Sequence, residues 1–182
     1  MDRSDQSEPA HELRVDWPEY YRLIEVLARQ IHQSGYEFDS LLCLARGGLR
    51  VGDVISRIFE RPLGVLTVSS YREAAGTVRG SLKIAAAISS IEDEPRGRVL
   101  LVDDLADSGA TMAAVVQHLH QRFPHISELR TGVIWLKGSS QFRPDYFASH
   151  LPSSPWIIQP FEVYDRLRPA DLAQRLDGRD RR

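Results

Sequence analysis

The sequence predicts an α/β fold, a mostly parallel twisted sheet flanked by helices, on three observations. Four short, largely apolar runs, near 40–44, 63–68, 99–102 and 130–136, have the pattern of strands buried on both faces. Between several of them apolar residues return at helical spacing, and glycine-bearing loops stand where a strand gives way to a helix. Sheets of this kind bind ligands beyond the carboxyl ends of their strands, which makes those loops the places to look for chemistry.

Taken in order, residues 1–14 are polar and carry acids, which predicts a disordered tail with no targeting segment. Tyr20, Ile24, Leu27, Ala28 and Ile31 predict a helix over 17–31, where the folded domain begins. Phe38 to Leu44 reads as a strand, Ala45-Arg46-Gly47-Gly48-Leu49 as a loop, and Val51, Val54, Ile55, Ile58 and Phe59 as one face of the next helix. After the 63–68 run, the stretch from Ser69 to Lys83 is polar. Its Gly76 and Gly80 with Arg72, Arg79 and Lys83 suit either a flexible cationic loop or a solvated hairpin.

Val99 to Val102 is the next strand. It delivers Asp103 and Asp104, then Leu105 through Thr111, onto a helix marked by Met112, Val115, Val116 and Leu119. Thr131 to Leu136 is a strand leading to Lys137, and Pro155-Trp156-Ile157-Ile158-Gln159-Pro160-Phe161-Glu162 follows. The segment 166–182 is charged, with a short helix after Pro169. The expected organisation is a tail over 1–14, one domain over 15–165 and a charged tail over 166–182, with no internal repeat.

Composition narrows the function classes. A chain of 182 residues with 42% hydrophobic content can bury one substantial core. A net charge of −2, with no window of basic residues interleaved with aromatics, argues against a nucleic-acid partner. The longest apolar runs fall far short of a membrane span. The single cysteine, Cys43, excludes an intrachain disulfide and suits core packing, in a reducing compartment or with indifference to redox, and the lack of a targeting segment predicts a cytoplasmic protein.

The loop chemistry is more specific. Backbone N–H groups at a helix start, with the hydroxyls of Ser108 and Thr111, form an anion cradle, and Gly109 lets the backbone come close. Asp103 and Asp104 can accept hydrogen bonds from ribose hydroxyls or hold a hydrated Mg2+. Arg46 followed by two glycines suits a pyrophosphate, because guanidinium grips phosphate oxygens in a planar fork. Taken alone, Asp-Ser-Gly or Arg-Gly-Gly marks an ordinary turn; together, in register on strand-to-helix transitions, they describe a sugar-phosphate site.

At these residues the sequence resembles the type I phosphoribosyltransferases, with Ser108 where that family usually carries Thr. The resemblance implies binding of 5-phosphoribosyl 1-diphosphate (PRPP) by Arg46, Gly47 and the run Asp103, Asp104, Leu105, Ala106, Asp107, Ser108, Gly109, Ala110 and Thr111. It implies Mg2+ as cofactor, with Asp104 toward the metal, and a mobile hood with Ser70, Tyr71, Arg79 and Lys83 as its candidate residues. Lys137 and the Trp156 segment resemble the base-recognition part of bacterial xanthine-guanine phosphoribosyltransferases. On that likeness Asp107, Lys137, Trp156 and Ile157 meet a 6-oxopurine, guanine, xanthine or hypoxanthine, and Asp107 is the general base. The implied protein is a pentosyltransferase of purine salvage that releases diphosphate and assembles as a homodimer or homotetramer. A non-catalytic PRPP-sensing regulator of the same fold is the alternative. A metal site for phosphoryl transfer is a third reading, which leaves Arg46 and Trp156 unexplained.

Overall fold

The computed structural model describes residues 12–72, 79–90 and 94–177, of which 70–72, 79–81 and 177 are described by backbone alone. In chain order the elements are β1 (Glu12–Arg14), α1 (Trp17–Gln33), β2 (Ser40–Ala45), α2 (Leu49–Phe59), β3 (Leu63–Arg72), β4 (Arg79–Ile84) and β5 (Gly97–Ala106). Then follow α3 (Ala110–Arg122), β6 (Ile126–Lys137), β7 (Tyr146–Leu151), β8 (Trp156–Ile158), α4 (Val163–Arg166) and α5 (Pro169–Asp177). The chain divides into two compact units, Arg22–Ser154, and Met1–Tyr21 with Pro155–Arg182.

The larger unit holds a six-stranded sheet in the order β4-β3-β2-β5-β6-β7. All neighbours are parallel except the β3–β4 pair. The four runs that read as strands are its four inner strands; in β2, β5 and the second half of β6 both faces are covered and the sequence can stay apolar without alternation, whereas β3 exposes Thr67 and Ser69. Side chains alternate across them. Leu42, Leu44, Val99, Leu101 and Val133 share one core with Met112, Val115 and Leu119 of α3. On the opposite face Gly52 of α2 lies so close to Cys43 that a Cβ there would sit 2.6 Å from the cysteine Cβ. Leu27 of α1 and Val102 would both be in ordinary contact, at 3.6 and 3.7 Å, with a Cβ at Gly132. Helices therefore cover both faces of the sheet.

Several expectations are corrected. β5 continues past Val102 through both aspartates to Ala106, because β6 keeps pairing with it: Asp103 with Val133, Leu105 with Trp135, Ala106 with Leu136. On α2 the stripe facing inward is Val51, Gly52, Ile55 and Phe59, whose ring meets Phe38 at 5.1 Å. Ile58 falls on the flank of that stripe and is 52% exposed. Of the polar stretch after the 63–68 run, the described part is an antiparallel hairpin, with Ser69 opposite Lys83; residues 73–78 at its tip lie outside the described residues.

The smaller unit contains a parallel two-stranded sheet of β1 and β8. The tail expected to be disordered through Arg14 is ordered at its end, where Glu12, Leu13 and Arg14 pair with Trp156, Ile157 and Ile158. Residues 1–11 lie outside the described residues. Phe161 packs its ring on Tyr20 at 5.8 Å and on Trp17 at 6.4 Å. The short helix expected after Pro169 is α5. Among the described residues no helix is long and apolar enough to cross a membrane.

Candidate active site

The sheet order sets the location. β2 and β5 are neighbours, but the chain leaves them in opposite directions, through α2 to β3 on one side and through α3 to β6 on the other. Such a reversal opens a crevice beyond the carboxyl ends of the two strands. The segments that follow them are Arg46-Gly47-Gly48 and Asp107-Ser108-Gly109, and Lys137 ends the adjacent strand β6.

At the base of the crevice the acid pair and the first loop are in close contact. A Cβ on Gly47 would stand 2.5 Å from Oδ1 of Asp104, so only glycine lets this backbone pass over the carboxylate. The N–H of Asp104 donates to Oδ1 of Asp103 at 2.9 Å. Gly47, Asp103, Asp104 and Thr111 line a cavity of about 150 Å3, closed by Leu44, Val68 and Leu82. Val68 and Leu82 come from the two strands of the β3–β4 hairpin, so its base walls the same cavity.

Removal from water, and next the Asp104 carboxylate, push Asp103 well above the ordinary carboxylate range; hydrogen bonds from the N–H groups of Asp104 and Gly48 oppose this. Burial first, then the Asp103 charge, push the Cys43 thiol up to about 12, which leaves it unreactive at neutral pH. Two adjacent carboxylates, one of them disfavoured in its charged form, suit a divalent cation. Among the described residues no cluster of three or more His, Cys, Asp or Glu could cage one. The donor set fits Mg2+, which binds through one or two carboxylates and completes its shell with water and substrate oxygens.

Past Ala106 the loop turns sharply. Gly109 has φ +77°, a left-handed conformation that strains any residue with a Cβ, and α3 begins at the next residue. Ser108 Oγ accepts from the N–H of Ala110 at 3.4 Å. The first-turn amides of α3 therefore open toward the crevice, with Thr111 at its wall. Leu105 and Ala106, expected within this loop, are the last residues of β5.

Asp107 and Lys137, reached separately in the sequence, form an ion pair with Nζ 3.2 Å from Oδ2. The Lys137 side chain is only 6% exposed whereas Asp107 is 58% exposed. A buried ammonium needs such a partner, since an unpaired one costs several kcal/mol in desolvation. Ser139, which the sequence reading did not single out, places its Oγ 3.2 Å from the Asp107 carbonyl oxygen and 3.5 Å from Oδ1. In the sequence it stands in the Gly138-Ser139-Ser140 run directly after Lys137.

The remaining site candidates are distributed as follows. Arg46 is exposed at the end of β2, and Lys83 is exposed on β4. The side chains of Ser70, Tyr71 and Arg79 lie outside the described residues. Trp156 and Ile157 stand on β8 in the smaller unit. There Trp156 is 59% exposed and Ile157 is buried, and Trp156 lines a cavity of about 760 Å3 with Glu12, Arg14, Gln159, Glu162 and Arg166.

The chain is 28% identical over 154 residues to a xanthine-guanine phosphoribosyltransferase of Idiomarina loihiensis, covering 84% of this chain and 88% of that one. Among solved structures it resembles a purine phosphoribosyltransferase from Pyrococcus horikoshii, with TM-score 0.67 and 25% identity over 82% of this chain and 93% of that one. It shares its fold with a Helicobacter pylori xanthine-guanine-hypoxanthine phosphoribosyltransferase, with TM-score 0.71 and 24% identity over 86% and 97% of the two chains. A family model described as the phosphoribosyl transferase domain matches residues 15–166. The chain therefore belongs to the type I phosphoribosyltransferase family.

Proposed function

We propose that the protein transfers the 5-phosphoribosyl group of PRPP to a 6-oxopurine, with Mg2+, releasing diphosphate and forming a purine nucleoside monophosphate for salvage. The observation that carries this reading is the buried Lys137 ammonium 3.2 Å from Asp107, at the carboxyl ends of β6 and β5, whose Asp103 and Asp104 line a cavity with Gly47 and Thr111. A sugar-phosphate site alone needs no such pair. A 6-oxopurine does, because it offers an acceptor at the 6-oxygen and a proton at N7, matching an ammonium and a carboxylate side by side.

The roles follow from the chemistry of departure. As diphosphate leaves the anomeric carbon, positive charge develops on the ribose ring and negative charge on the leaving group, so groups that meet those charges lower the barrier. Arg46 and the Gly47 backbone are placed at the carboxyl end of β2 to receive the diphosphate. Asp103 and Asp104 accept from the ribose hydroxyls. Asp104 would hold Mg2+, which supplies charge neutralisation for the leaving diphosphate when bound. The amides of Asp107 to Thr111, with the hydroxyls of Ser108 and Thr111, receive the 5-phosphate. Asp107 accepts the N7 proton as N9 bonds to the anomeric carbon and diphosphate leaves, and Lys137 donates to the 6-oxygen; in the smaller unit Trp156 offers an exposed ring for stacking, with the Ile157 backbone for the purine edge.

Asp107→Asn and Lys137→Ala test these assignments by steady-state kinetics. Asp107→Asn is expected to lower kcat by about 100-fold, in the range typical of a lost general base, with the KM for PRPP unchanged. Lys137→Ala is expected to raise the KM for purine by roughly 10- to 100-fold, as loss of a charge-assisted hydrogen bond implies. Unchanged turnover in the first variant, or weakened PRPP with intact purine binding in the second, contradicts the assignment.

A further inference from the structure

The segment after Lys137 is pinned to the loop that carries Asp107. The N–H of Gln141 donates to the Ser108 carbonyl at 2.9 Å, and Ser139 Oγ lies 3.2 Å from the Asp107 carbonyl and 3.5 Å from its carboxylate Oδ1. A Cβ on Gly109 would stand 2.5 Å from Ser140 Oγ and 2.6 Å from the Phe142 backbone nitrogen, so the two segments are in van der Waals contact at that point. Ser139 is itself held in place. Its N–H donates to Ser154 Oγ at 3.0 Å, and Gly138 and Ser140 are fixed by bonds from their N–H groups to the Leu151 and Lys137 carbonyls at 2.9 and 3.1 Å. The carboxylate of Asp107 is thus addressed from two sides, Oδ2 by Lys137 and Oδ1 by Ser139.

From this geometry we propose that Ser139 is a positioning residue for Asp107: its hydroxyl sets the rotation of the carboxylate so that a lone pair faces the purine N7 proton while Lys137 stays free to turn to the 6-oxygen. The inference rests on the function proposed above and deepens it. Asp107 is 58% exposed, so without a second contact its carboxylate rotates about the single Lys137 bond. Hydrogen bonds of 3.2 to 3.5 Å are long for a hydroxyl donor, and bonds to a catalytic group commonly tighten when the substrate is in place. Ser139 touches no reacting atom, so its effect belongs in turnover and not in the grip on PRPP.

Ser139→Ala and Ser139→Thr in the full chain separate this role from a structural one. Ser139→Ala is expected to lower kcat about fivefold to tenfold, the loss of one hydrogen bond, with the KM for PRPP unchanged, and Ser139→Thr, which keeps a hydroxyl, to restore most of the turnover. Unchanged kcat in Ser139→Ala, or equal losses in both variants, overturns the proposal. Amide hydrogen exchange over residues 107–109 of the unliganded protein provides a readout that needs no activity. Faster exchange in Ser139→Ala, reversed in Ser139→Thr, supports the contact, and exchange unchanged in Ser139→Ala overturns it. If the unaltered protein shows no transferase turnover, the function proposed above fails on its own, and the exchange result still decides whether Ser139 holds the loop.

Discussion

At the residue scale the site pits charge against charge. Asp103 and Asp104 are neighbours in one strand, and burial together with Asp104 raises Asp103 above the ordinary carboxylate value of 3.8. A carboxyl whose folded value is raised binds its proton more tightly in the folded state. Its contribution to stability is full below the unfolded value and is lost as pH rises through the folded one, so at neutral pH Asp103 weakens the fold. In the absence of divalent metal, Asp103→Asn is therefore expected to raise Tm at pH 7 by about 2–4 °C per kcal/mol relieved, with the gain shrinking toward zero below about pH 3.5. Thermal denaturation of both proteins from pH 3 to 8 checks this. A lower Tm for the variant at pH 7 would mean that the hydrogen bonds from Gly48 and Asp104 outweigh desolvation. In the proposed reaction a ligand that brings a cation or sugar hydroxyls to these oxygens would relieve the same crowding.

At the element scale the inner strands were legible and the edges were not. β2, β5 and the second half of β6 are covered on both faces, so burial wrote continuous apolar runs into the sequence, whereas β3 exposes Thr67 and Ser69. β4 and β7 are edge strands: Arg-Gly-Ser-Leu-Lys-Ile and Tyr-Phe-Ala-Ser-His-Leu carry no such run, and only hydrogen bonding to β3 and β6 makes them strands. The loops were legible because their chemistry is contiguous, Asp103 to Thr111 and Arg46 to Gly48. Ser139, Val68 and Leu82 were not, because each reaches the site from another strand or loop, and one sequence carries no record of pairing register across a fold. Helical spacing also overstated the buried face of α2 by including Ile58. Paired substitutions test that correction. Leu101→Ala, at a fully buried position of β5, is expected to cost about 2–5 kcal/mol in denaturant unfolding. Ile58→Ala is expected to stay within about 0.5 kcal/mol. A comparable cost at both positions would place Ile58 in a core.

At the scale of the whole molecule, the site candidates of the larger unit follow the carboxyl ends of neighbouring strands of one sheet. Three adjacent strands, β2, β5 and β6, end in the pyrophosphate-type loop, the phosphate-type loop and Lys137, while the segment with Trp156 belongs to the smaller unit together with the start of the described chain. A net charge of −2 supplies no general attraction for polyanions, so in the proposed reaction recognition of the diphosphate would fall to local groups, Arg46, the loop amides and a bound cation. The measurement that bears most directly on the proposed function is diphosphate release from PRPP with Mg2+, with guanine, xanthine, hypoxanthine, adenine, uracil and orotate offered separately. Release confined to the 6-oxopurines, with the matching nucleoside monophosphate as product, is the expected result. Turnover with adenine or a pyrimidine alone, or saturable PRPP binding with no turnover on any base, would contradict it.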